Sequence, residues 1–307
     1  MDQLALYNDA DCGHYTLSEL FMFSPFSVLD TRARDWQTRK KSWLSLGIKS
    51  ELGREDNITS APGRTSYMQG SCTNCAPGTS IFDPVLCEVM YKWFCTPGGK
   101  ILDPFAGGSV RGIVASYLGY DYHGNDLRPE QIAANINNAE AVGVTMPTWT
   151  VGDSGDIFNL AGPGPYDMIF SCPPYYDLEV YSDRPDDLSN MAWCDFVPAY
   201  RHIISESCDM LADDRFAVFV VGDVRDSRGF YRDLISATKD AFRAAGCNLY
   251  NEIIKIDPYG NAGMRARRQF ATRKCTKIHQ NVLVFYKGNP SRIKANYGEI
   301  TIDTIGG

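Results

Sequence analysis

The sequence predicts an α/β fold in which a mostly parallel β-sheet is covered by helices on both faces. From about residue 98 onward, short apolar segments of strand character alternate with helical segments, which is the pattern of repeated β-α-β units. The last two strand candidates follow each other with no helical pattern between them, which predicts an antiparallel pair at the end of the sheet. The chain has 307 residues, of which 44% are hydrophobic, enough to bury a full core.

Turn and cap residues divide this part of the chain into predicted strands and helices. The strands are residues 100–102, 120–125, 148–151, 166–170, 216–221, 248–256 and 281–286. The helices are residues 110–118, 129–142, 193–211 and 231–245. Helix ends are marked by ordinary signals, since Pro129 stands in the first turn of the second helix, and Gly143 and Gly246 follow the second and fourth helices.

The first 75 residues do not fit this alternation and are predicted to form an irregular, partly helical extension. A main domain is expected over residues 76–290, followed by a tail of residues 291–307. No apolar run reaches the roughly 18 residues that a membrane span needs, and the polar start of the chain lacks a signal-peptide pattern, so we expect no membrane partner. Ten cysteines are too sparse for a disulfide scaffold, which favours a reduced, cytoplasmic compartment.

Positive charge is concentrated in two stretches of a chain whose net charge is −7. Residues 258–298 contain no acidic residue and hold nine basic ones: Arg265, Arg267, Arg268, Arg273, Lys274, Lys277, Lys287, Arg292 and Lys294. Residues 32–49 form a second basic stretch in which only Asp35 is acidic. A local basic face can neutralise phosphates even on an acidic protein. The alternative is that both stretches are solvated surface.

A glycine-rich turn, Asp103-Pro104-Phe105-Ala106-Gly107-Gly108-Ser109, follows the first predicted strand. Its glycines allow a tight turn without Cβ obstruction, and ligands of open α/β sheets bind beyond the carboxyl ends of the strands. Because three successive strands end in aspartate, we expect Asp103 to face an ammonium group, Asp126 two ribose hydroxyls and Asp153 an adenine amino group. The alternative is that they only cap helices. Gly-x-Gly-x-x-Gly is absent, which argues against a dinucleotide site.

A second motif, Ser171-Cys172-Pro173-Pro174-Tyr175-Tyr176, follows the fourth predicted strand. The two prolines fix the backbone and remove two N–H donors, so their carbonyl groups are held rigidly. A rigid carbonyl beside a side-chain acceptor can bind both hydrogens of an exocyclic amine, and the two tyrosines offer faces on which a base can stack. The alternative is a plain proline turn that closes a strand.

Four segments resemble the N6-adenine and N4-cytosine DNA methyltransferases. The Asp-Pro-Phe-x-Gly-Gly run that begins at Asp103 is similar to their cofactor motif, and the Cys-Pro-Pro-Tyr run that begins at Cys172 is similar to their Asp/Asn/Ser-Pro-Pro-Tyr catalytic motif. Residues 80–84 resemble the segment that completes the cofactor pocket from upstream, and residues 279–288 resemble the closing strand of phage and bacterial DNA-modification methylases. The resemblance covers about residues 80–288.

The resemblance implies a seven-stranded, mostly parallel Rossmann-like methyltransferase sheet with an antiparallel last pair. It implies methyl transfer from S-adenosylmethionine to the exocyclic amine of cytosine (N4) or adenine (N6) in DNA, by base flipping and without a covalent intermediate, in a bacterial or phage-infected cell. The catalytic residues implied are Cys172, Pro173, Pro174 and Tyr175. The implied cofactor residues are Phe82, Asp83, Asp103, Pro104, Phe105, Gly107, Ser109, Asp126 and Asp153. Nucleic-acid contacts are expected from Tyr176 and from a target-contacting loop, residues 257–278, through Arg265, Arg267, Arg268, Arg273, Lys274 and Lys277.

Two other functions stay open at this point. Methylation of an RNA base is one, because stacking a single base does not distinguish the sugar. A non-catalytic nucleic-acid-binding partner that keeps the fold is the other. The sequence decides neither the target base nor the choice between monomer and homodimer.

Cys172 departs from the resembled pattern, in which Asp, Asn or Ser stands at this position. A thiol is a weaker acceptor than a carboxylate or an amide. It is closest in shape to serine, which slightly favours cytosine N4 as the target. Two alternatives remain: a nucleophilic cysteine, as in carbon-5 cytosine enzymes, where it follows a proline, and an inert thiol whose acceptor role passes to Ser171 or to a main-chain carbonyl.

Three further features have ordinary explanations beside functional ones. Cys72-x-x-Cys75 invites a zinc site with Cys87 and Cys95, but the spacing is not that of a zinc ribbon, so no metal is expected. Trp36 and Trp43 could contact DNA, although a helix that packs its aromatic side on the core is favoured. Whether Asp177 and Glu179 face a base or water is left open.

Overall fold

The computed structural model describes residues 15–49 and 82–306. In this part of the chain, eight strands form one sheet: β1 Val28–Asp30, β2 Lys100–Asp103, β3 Asp121–Asp126, β4 Thr148–Val151, β5 Tyr166–Ser171, β6 Leu211–Val221, β7 Asn248–Ile256 and β8 His279–Lys287. The α-helices are α1 Leu17–Phe21, α2 Arg34–Ser45, α3 Pro84–Phe94, α4 Val110–Tyr117, α5 Pro129–Val142, α6 Ile157–Ala161, α7 Trp193–Met210, α8 Leu234–Ala244, α9 Ala262–Gln269 and α10 Ile293–Asn296.

The strand order is β1-β7-β8-β6-β5-β2-β3-β4. Strand β8 runs antiparallel to both of its neighbours, β6 and β7, and every other strand pair is parallel. The mostly parallel sheet with an antiparallel last pair is therefore confirmed, and its seven predicted strands are β2 to β8. The eighth strand, β1, is a correction: it comes from the N-terminal extension and pairs with the end of β7, Val28 opposite Ile254. Three residues are too few to show a strand period.

Helices cover both faces of the sheet, as predicted. Alternate residues of β6 enter two different apolar clusters, because successive side chains of a strand point to opposite faces. Phe216 and Val218 pack with α2, α3 and α4, whereas Ala217 and Phe219 pack with α7 and α8. Burial on both faces explains why this strand reads as a continuous apolar run.

The N-terminal extension is packed on the core through α2. Trp36 and Trp43 are buried, and their indole N–H groups donate to the carboxylates of Asp83 and Glu88, at 3.3 and 2.7 Å. The expectation that this helix packs its aromatic side on the core is confirmed. Three cations of the second basic stretch are engaged in ion pairs within the protein: Arg32 with Asp30, Arg39 with Glu88 and Lys40 with Asp83.

The C-terminal tail also packs on this face of the molecule. Ile305 is buried in the same apolar cluster as α2 and α3, and the carbonyl of Asp303 accepts a hydrogen bond from Arg39 at 2.6 Å. None of the described helices is long and apolar enough to cross a membrane. The domain boundaries at residues 75 and 290 stay predictions.

Two element boundaries differ from expectation by three or more residues, and one segment contains an unexpected helix. Strand β6 begins at Leu211, five residues before the apolar run, because polar residues 213–215 hide its first half. Helix α8 begins at Leu234, where Asp233 caps it through a hydrogen bond to the N–H of Ser236. The segment between β7 and β8 is not helix-free: it contains α9, whose few buried positions give no clear apolar period.

Candidate active site

One large pocket opens at the carboxyl ends of β2, β3, β4 and β5, and encloses about 1460 Å³ including its open mouth. From β2, the chain first adds β3 and β4 on one side of the sheet and then crosses to add β5 on the other side. Open α/β sheets bind ligands at such a switch point, here between β2 and β5. Of the predicted site residues, these line the pocket: Phe82, Asp83, Pro104, Phe105, Gly107, Asp126, Asp153, Cys172, Pro173, Pro174 and Tyr175. The glycine turn and the proline motif, some seventy residues apart in sequence, thus meet in one cavity.

The backbone of the glycine turn is held in place by side chains at the end of β3 and on α5. Gly107 has a φ of +50°, a conformation that favours glycine, and no atom lies within 4 Å of the position that its Cβ would occupy. Its N–H donates to Asp126 Oδ2 at 3.0 Å, and its carbonyl accepts from the Asn135 side chain at 2.7 Å. The turn therefore leaves open space above a fixed backbone, as a ligand cradle requires.

Asp103 does not line the pocket, contrary to the expectation that it faces a ligand's ammonium group. It is fully buried and accepts hydrogen bonds from Arg111 Nε at 2.5 Å, Tyr122 at 2.7 Å and Ser171 at 2.5 Å. Arg111 also donates to the carbonyls of Phe105 and Ala106. A buried carboxylate needs such partners. The role that this geometry gives Asp103 is to fasten the glycine turn to the sheet.

Asp126 and Asp153 do reach the pocket. Asp126 accepts from the N–H groups of Gly107 and Arg128, and burial raises its pKa while the charge of Arg128 acts the other way. Asp153 is exposed and caps a short 3-10 turn through the N–H of Gly155, at 2.8 Å. Asp153 therefore combines a capping role with a place at the cavity wall, whereas Asp126 lines the cavity without capping a helix.

The upstream wall consists of Phe82 and Asp83. The Phe82 ring lies 4.6 Å from the Arg111 guanidinium, and Asp83 is the N-cap of α3 as well as the partner of Trp36 and Lys40. Ser109 is a correction: its hydroxyl donates to Asn138 at 2.8 Å, and the residue is buried behind the turn instead of lining the pocket.

The pocket wall carries an excess of negative charge. Six carboxylates line it, against three basic side chains: Asp83, Asp126, Asp153, Glu179, Asp186 and Asp187 against Arg111, Arg128 and Lys255. Such a lining attracts a cationic ligand. S-adenosylmethionine carries a sulfonium and an ammonium group, and fits this donor set in charge.

The proline motif forms the opposite wall. Cys172 lies in the pocket, whereas Ser171 is buried beneath it with its hydroxyl bound to Asp103. The alternative in which Ser171 serves as the amine acceptor is therefore disfavoured. The Cys172 sulfur lies 3.4 Å from the Tyr175 hydroxyl, which in turn lies 3.4 Å from the carbonyl of Val220.

A chain of polar side chains that sequence reasoning missed continues from Tyr175. Gln280 Nε2 donates to the Tyr175 hydroxyl at 2.8 Å, and Lys255 Nζ donates to Gln280 Oε1 at 2.8 Å and pairs with Asp257. Gln280 and Lys255 are buried and line the pocket. The available signal was the polar residues at the strand ends nearest the pocket, Lys255 near the end of β7 and Gln280 at the start of β8.

Burial raises the pKa of the Cys172 thiol and of the Tyr175 phenol, although the positive charges of Arg111 and Lys255 oppose the shift at Cys172. Both groups are therefore protonated at neutral pH. A thiolate, and not a thiol, is the effective nucleophile. The raised pKa of the thiol thus disfavours the alternative in which Cys172 forms a covalent intermediate.

Two predicted nucleic-acid contacts are corrected. Tyr176 is only 7% exposed, and its ring packs edge-on against Trp193 and Phe196, so it offers no free face to a base. Arg265 is buried on the inner side of α9. The other predicted contacts, which are Arg267, Arg268, Arg273, Lys274 and Lys277, are exposed or half-buried.

The described residues contain no group of three or more His, Cys, Asp or Glu side chains placed to hold a metal ion. Cys72, Cys75 and residues 80–81 lie outside the described residues. Cys87 is buried on α3, as its apolar neighbours predict. Glu179 lines the pocket and accepts from the Tyr181 hydroxyl at 2.7 Å, whereas Asp177 does not line it.

No protein-family model matches the chain, and neither does any curated protein. Several solved structures are similar to it at low identity. TrmN from Thermus thermophilus is 14% identical with a TM-score of 0.47; the match covers 67% of this chain and 49% of TrmN, so the chain spans about half of TrmN's length. A methyltransferase from Pyrococcus furiosus is 15% identical with a TM-score of 0.47, over 82% of this chain and 100% of that one.

A third similar structure is magnesium protoporphyrin IX methyltransferase (ChlM) from Synechocystis PCC 6803 with bound SAM. It is 12% identical with a TM-score of 0.44, and the match covers 66% of this chain and 79% of ChlM. Identities and TM-scores of this size do not assign an activity to this chain.

Proposed function

We propose that this protein is an S-adenosylmethionine-dependent methyltransferase that acts on the exocyclic amine of a nucleic-acid base, cytosine N4 or adenine N6 in DNA. The observation that carries the proposal is that the glycine turn and the Cys172–Tyr175 motif line one and the same pocket. A cofactor cradle and a rigid, aromatic base site are needed on the two sides of one cavity for direct transfer.

The cofactor would be held by residues on one side of this pocket. Gly107 supplies the open backbone cradle, Asp126 accepts from the ribose hydroxyls, and Asp153 accepts from the adenine amino group. Asp83 and Phe82 close the cradle from upstream. When bound, S-adenosylmethionine supplies an electrophilic methyl group on a positively charged sulfur.

On the other side, the chain positions the amine. Pro173 and Pro174 fix the backbone, so that main-chain carbonyls of the motif accept the hydrogens of the amine and aim its lone pair. The Cys172 thiol is protonated and is a weak acceptor, so it contributes packing at the wall. Tyr175, fixed by Gln280, supplies the stacking face. Catalysis in this scheme is positioning together with exclusion of water.

The deciding experiment measures methylation and cofactor binding separately. The protein is incubated with isotope-labelled S-adenosylmethionine and with single-stranded DNA, duplex DNA or structured RNA, and the product is digested to nucleosides and identified by mass. We expect N4-methylcytosine or N6-methyladenine from DNA. Label found only in RNA nucleosides would overturn the DNA assignment and favour the RNA alternative. Calorimetry without nucleic acid tests the cofactor, and absence of binding would favour a non-catalytic partner.

One variant tests whether the two walls of the pocket have separate roles, one in cofactor binding and one in holding the base. Tyr175→Ala is expected to abolish methyl transfer, because the stacking face is lost, while S-adenosylmethionine binds with nearly unchanged affinity. Initial rates and calorimetric titrations of the same preparation check this. Equal loss of binding and transfer would contradict the assignment of roles.

A further inference from the structure

The loop that connects β6 to α8, residues 222–233, begins at the base site. The Cβ of any residue other than glycine at position 222 would lie 2.8 Å from the Tyr175 ring, so the loop backbone rests on that ring. Farther along, the Arg232 guanidinium lies 4.6 Å from the centre of the Tyr176 ring and 5.4 Å from that of Trp193. The β6–α8 loop is therefore anchored to the catalytic motif at both of its ends.

The same loop touches the basic segment between β7 and β8, residues 257–278. A side chain at Gly229 would collide with the ammonium end of Lys274. Asp223, near the start of the loop, interacts electrostatically with Lys277. The β6–α8 loop and the β7–β8 segment thus adjoin each other, and both follow strands whose carboxyl ends lie on the pocket side of the sheet.

Arginines paired with exposed aromatic rings recur across the two segments. In the β6–α8 loop, Arg225 lies 3.8 Å from the ring of Tyr231, and Arg228 lies 5.7 Å from that of Phe230. In the β7–β8 segment, the Arg273 guanidinium lies 5.3 Å from the centre of the Phe270 ring. Arg32, which precedes α2, lies 4.5 Å from the centre of the Tyr259 ring of the same segment. The rings are well exposed: Phe230 68%, Tyr231 45%, Tyr259 58% and Phe270 51%.

We propose that the β6–α8 loop and the β7–β8 segment form one surface that binds the unpaired nucleotides flanking the target base. This inference rests on the proposed function and deepens it, since it names the form of the substrate. Together the two segments hold nine basic residues against four acidic ones, which suits a polyanion.

The exposed aromatic rings favour one kind of polyanion, a single-stranded nucleic acid, over a duplex or an acidic polypeptide. In a duplex, the faces of the bases are already stacked on each other, whereas an unpaired base offers a free face to an aromatic ring or to an arginine plane. An acidic polypeptide offers the charge without flat faces. A surface that alternates arginine with exposed rings is therefore matched to a single strand, whose phosphates and bases lie next to each other.

Fluorescence anisotropy tests this with a labelled single-stranded DNA of about 16 nucleotides, a site size typical of single-strand binders, and with the blunt duplex of the same sequence. The wild-type protein is expected to bind the single strand more tightly. The double variant Phe230→Ala, Tyr231→Ala should weaken this binding about fivefold or more, since two stacking faces are lost. Phe26→Ala is the control. The Phe26 ring is similarly exposed, but it lies just before the amino end of β1, away from the carboxyl strand ends that form the pocket, so binding should be unchanged.

Charge is tested by the dependence of affinity on KCl concentration. Arg228→Ala should reduce the slope of log K against log salt by about 0.7, the value of one phosphate contact on a single strand. Arg243→Ala is the control, because Arg243 is also exposed and paired with an aspartate but lies at the far end of α8.

Three outcomes would overturn the inference: wild-type preference for the duplex, unchanged single-strand binding in both Phe230 and Arg228 variants, or equal competition by polyglutamate. Each of these leaves the proposed methyl transfer standing, provided that methylation is detected. The proposed function fails by a different result, in which the protein binds and methylates neither DNA nor RNA.

Discussion

At the scale of single residues, Lys255 sets the direction of the hydrogen bonds around Tyr175. An ammonium group can only donate, so Gln280 must accept with its oxygen and donate with its nitrogen. The Tyr175 oxygen therefore accepts a hydrogen bond from Gln280 and donates its own hydrogen to the Cys172 sulfur or the Val220 carbonyl. The Lys255 ammonium thus fixes, through Gln280, the orientation of the Tyr175 hydroxyl.

Gln280→Leu is expected to lower the rate of methyl transfer about tenfold with little effect on cofactor affinity. The substitution leaves the Tyr175 hydroxyl free to rotate, and it leaves Lys255 without one of its acceptors, at a cost of about 1–3 kcal/mol in unfolding free energy. Single-turnover rates and urea unfolding check the two effects. A loss of stability with an unchanged rate would show that Gln280 is only structural.

Asp126 gives cofactor binding a pH dependence of defined sign. Burial raises the pKa of its carboxyl, and only the ionised form accepts from two hydroxyls without donating. Affinity for S-adenosylhomocysteine should therefore fall as the pH is lowered through this raised pKa, at a higher pH than for an ordinary aspartate. Calorimetry across the acid range measures it, and in Asp126→Asn the dependence should disappear. A fall of equal size in that variant would assign the effect to another group.

At the scale of elements, the end of β6 and the proline motif are built around one close contact. Gly222→Ala would place a Cβ 2.8 Å from the Tyr175 ring, and such overpacking costs about 1–3 kcal/mol unless the ring moves. We expect methyl transfer to fall more than cofactor affinity, since the ring belongs to the base wall. Gly298→Ala is the matched control, because no atom lies within 4 Å of its Cβ position and it lies in the C-terminal tail. Equal activities of the two variants would contradict the contact.

Elements with strong local signals could be read from the sequence, and those defined by tertiary contacts could not. Pro129 and Gly143 place both ends of α5 correctly. Strand β1 and helix α9 are short and carry no clear period, so their existence depends on what they pack against. Within the site, an aspartate at a strand end gives the same sequence signal whether it lines the pocket, as Asp126 does, or pairs with a buried arginine, as Asp103 does.

At the scale of the whole molecule, α2 ties the N-terminal extension and the C-terminal tail to α3. Arg39→Ala would leave the fully buried Glu88 carboxylate without its cation and should lower the unfolding free energy by about 3–5 kcal/mol. Arg34→Ala, an exposed position on the same helix, is the control and should change it by less than about 0.5 kcal/mol. Urea unfolding of both variants measures this, and similar midpoints would contradict a stabilising role for the pair.

The short strand β1 has a consequence for solubility. Without it, the nine-residue β7 would be an edge strand whose unpaired N–H and C=O groups could template pairing with another chain. Strand β1 covers the more apolar end of β7, from Ile254 to Ile256, and a bulge between Leu249 and Asn251 interrupts the regular ladder at the other end. Since β4, at the opposite edge of the sheet, is only four residues long, both borders of the sheet are poor templates for aggregation.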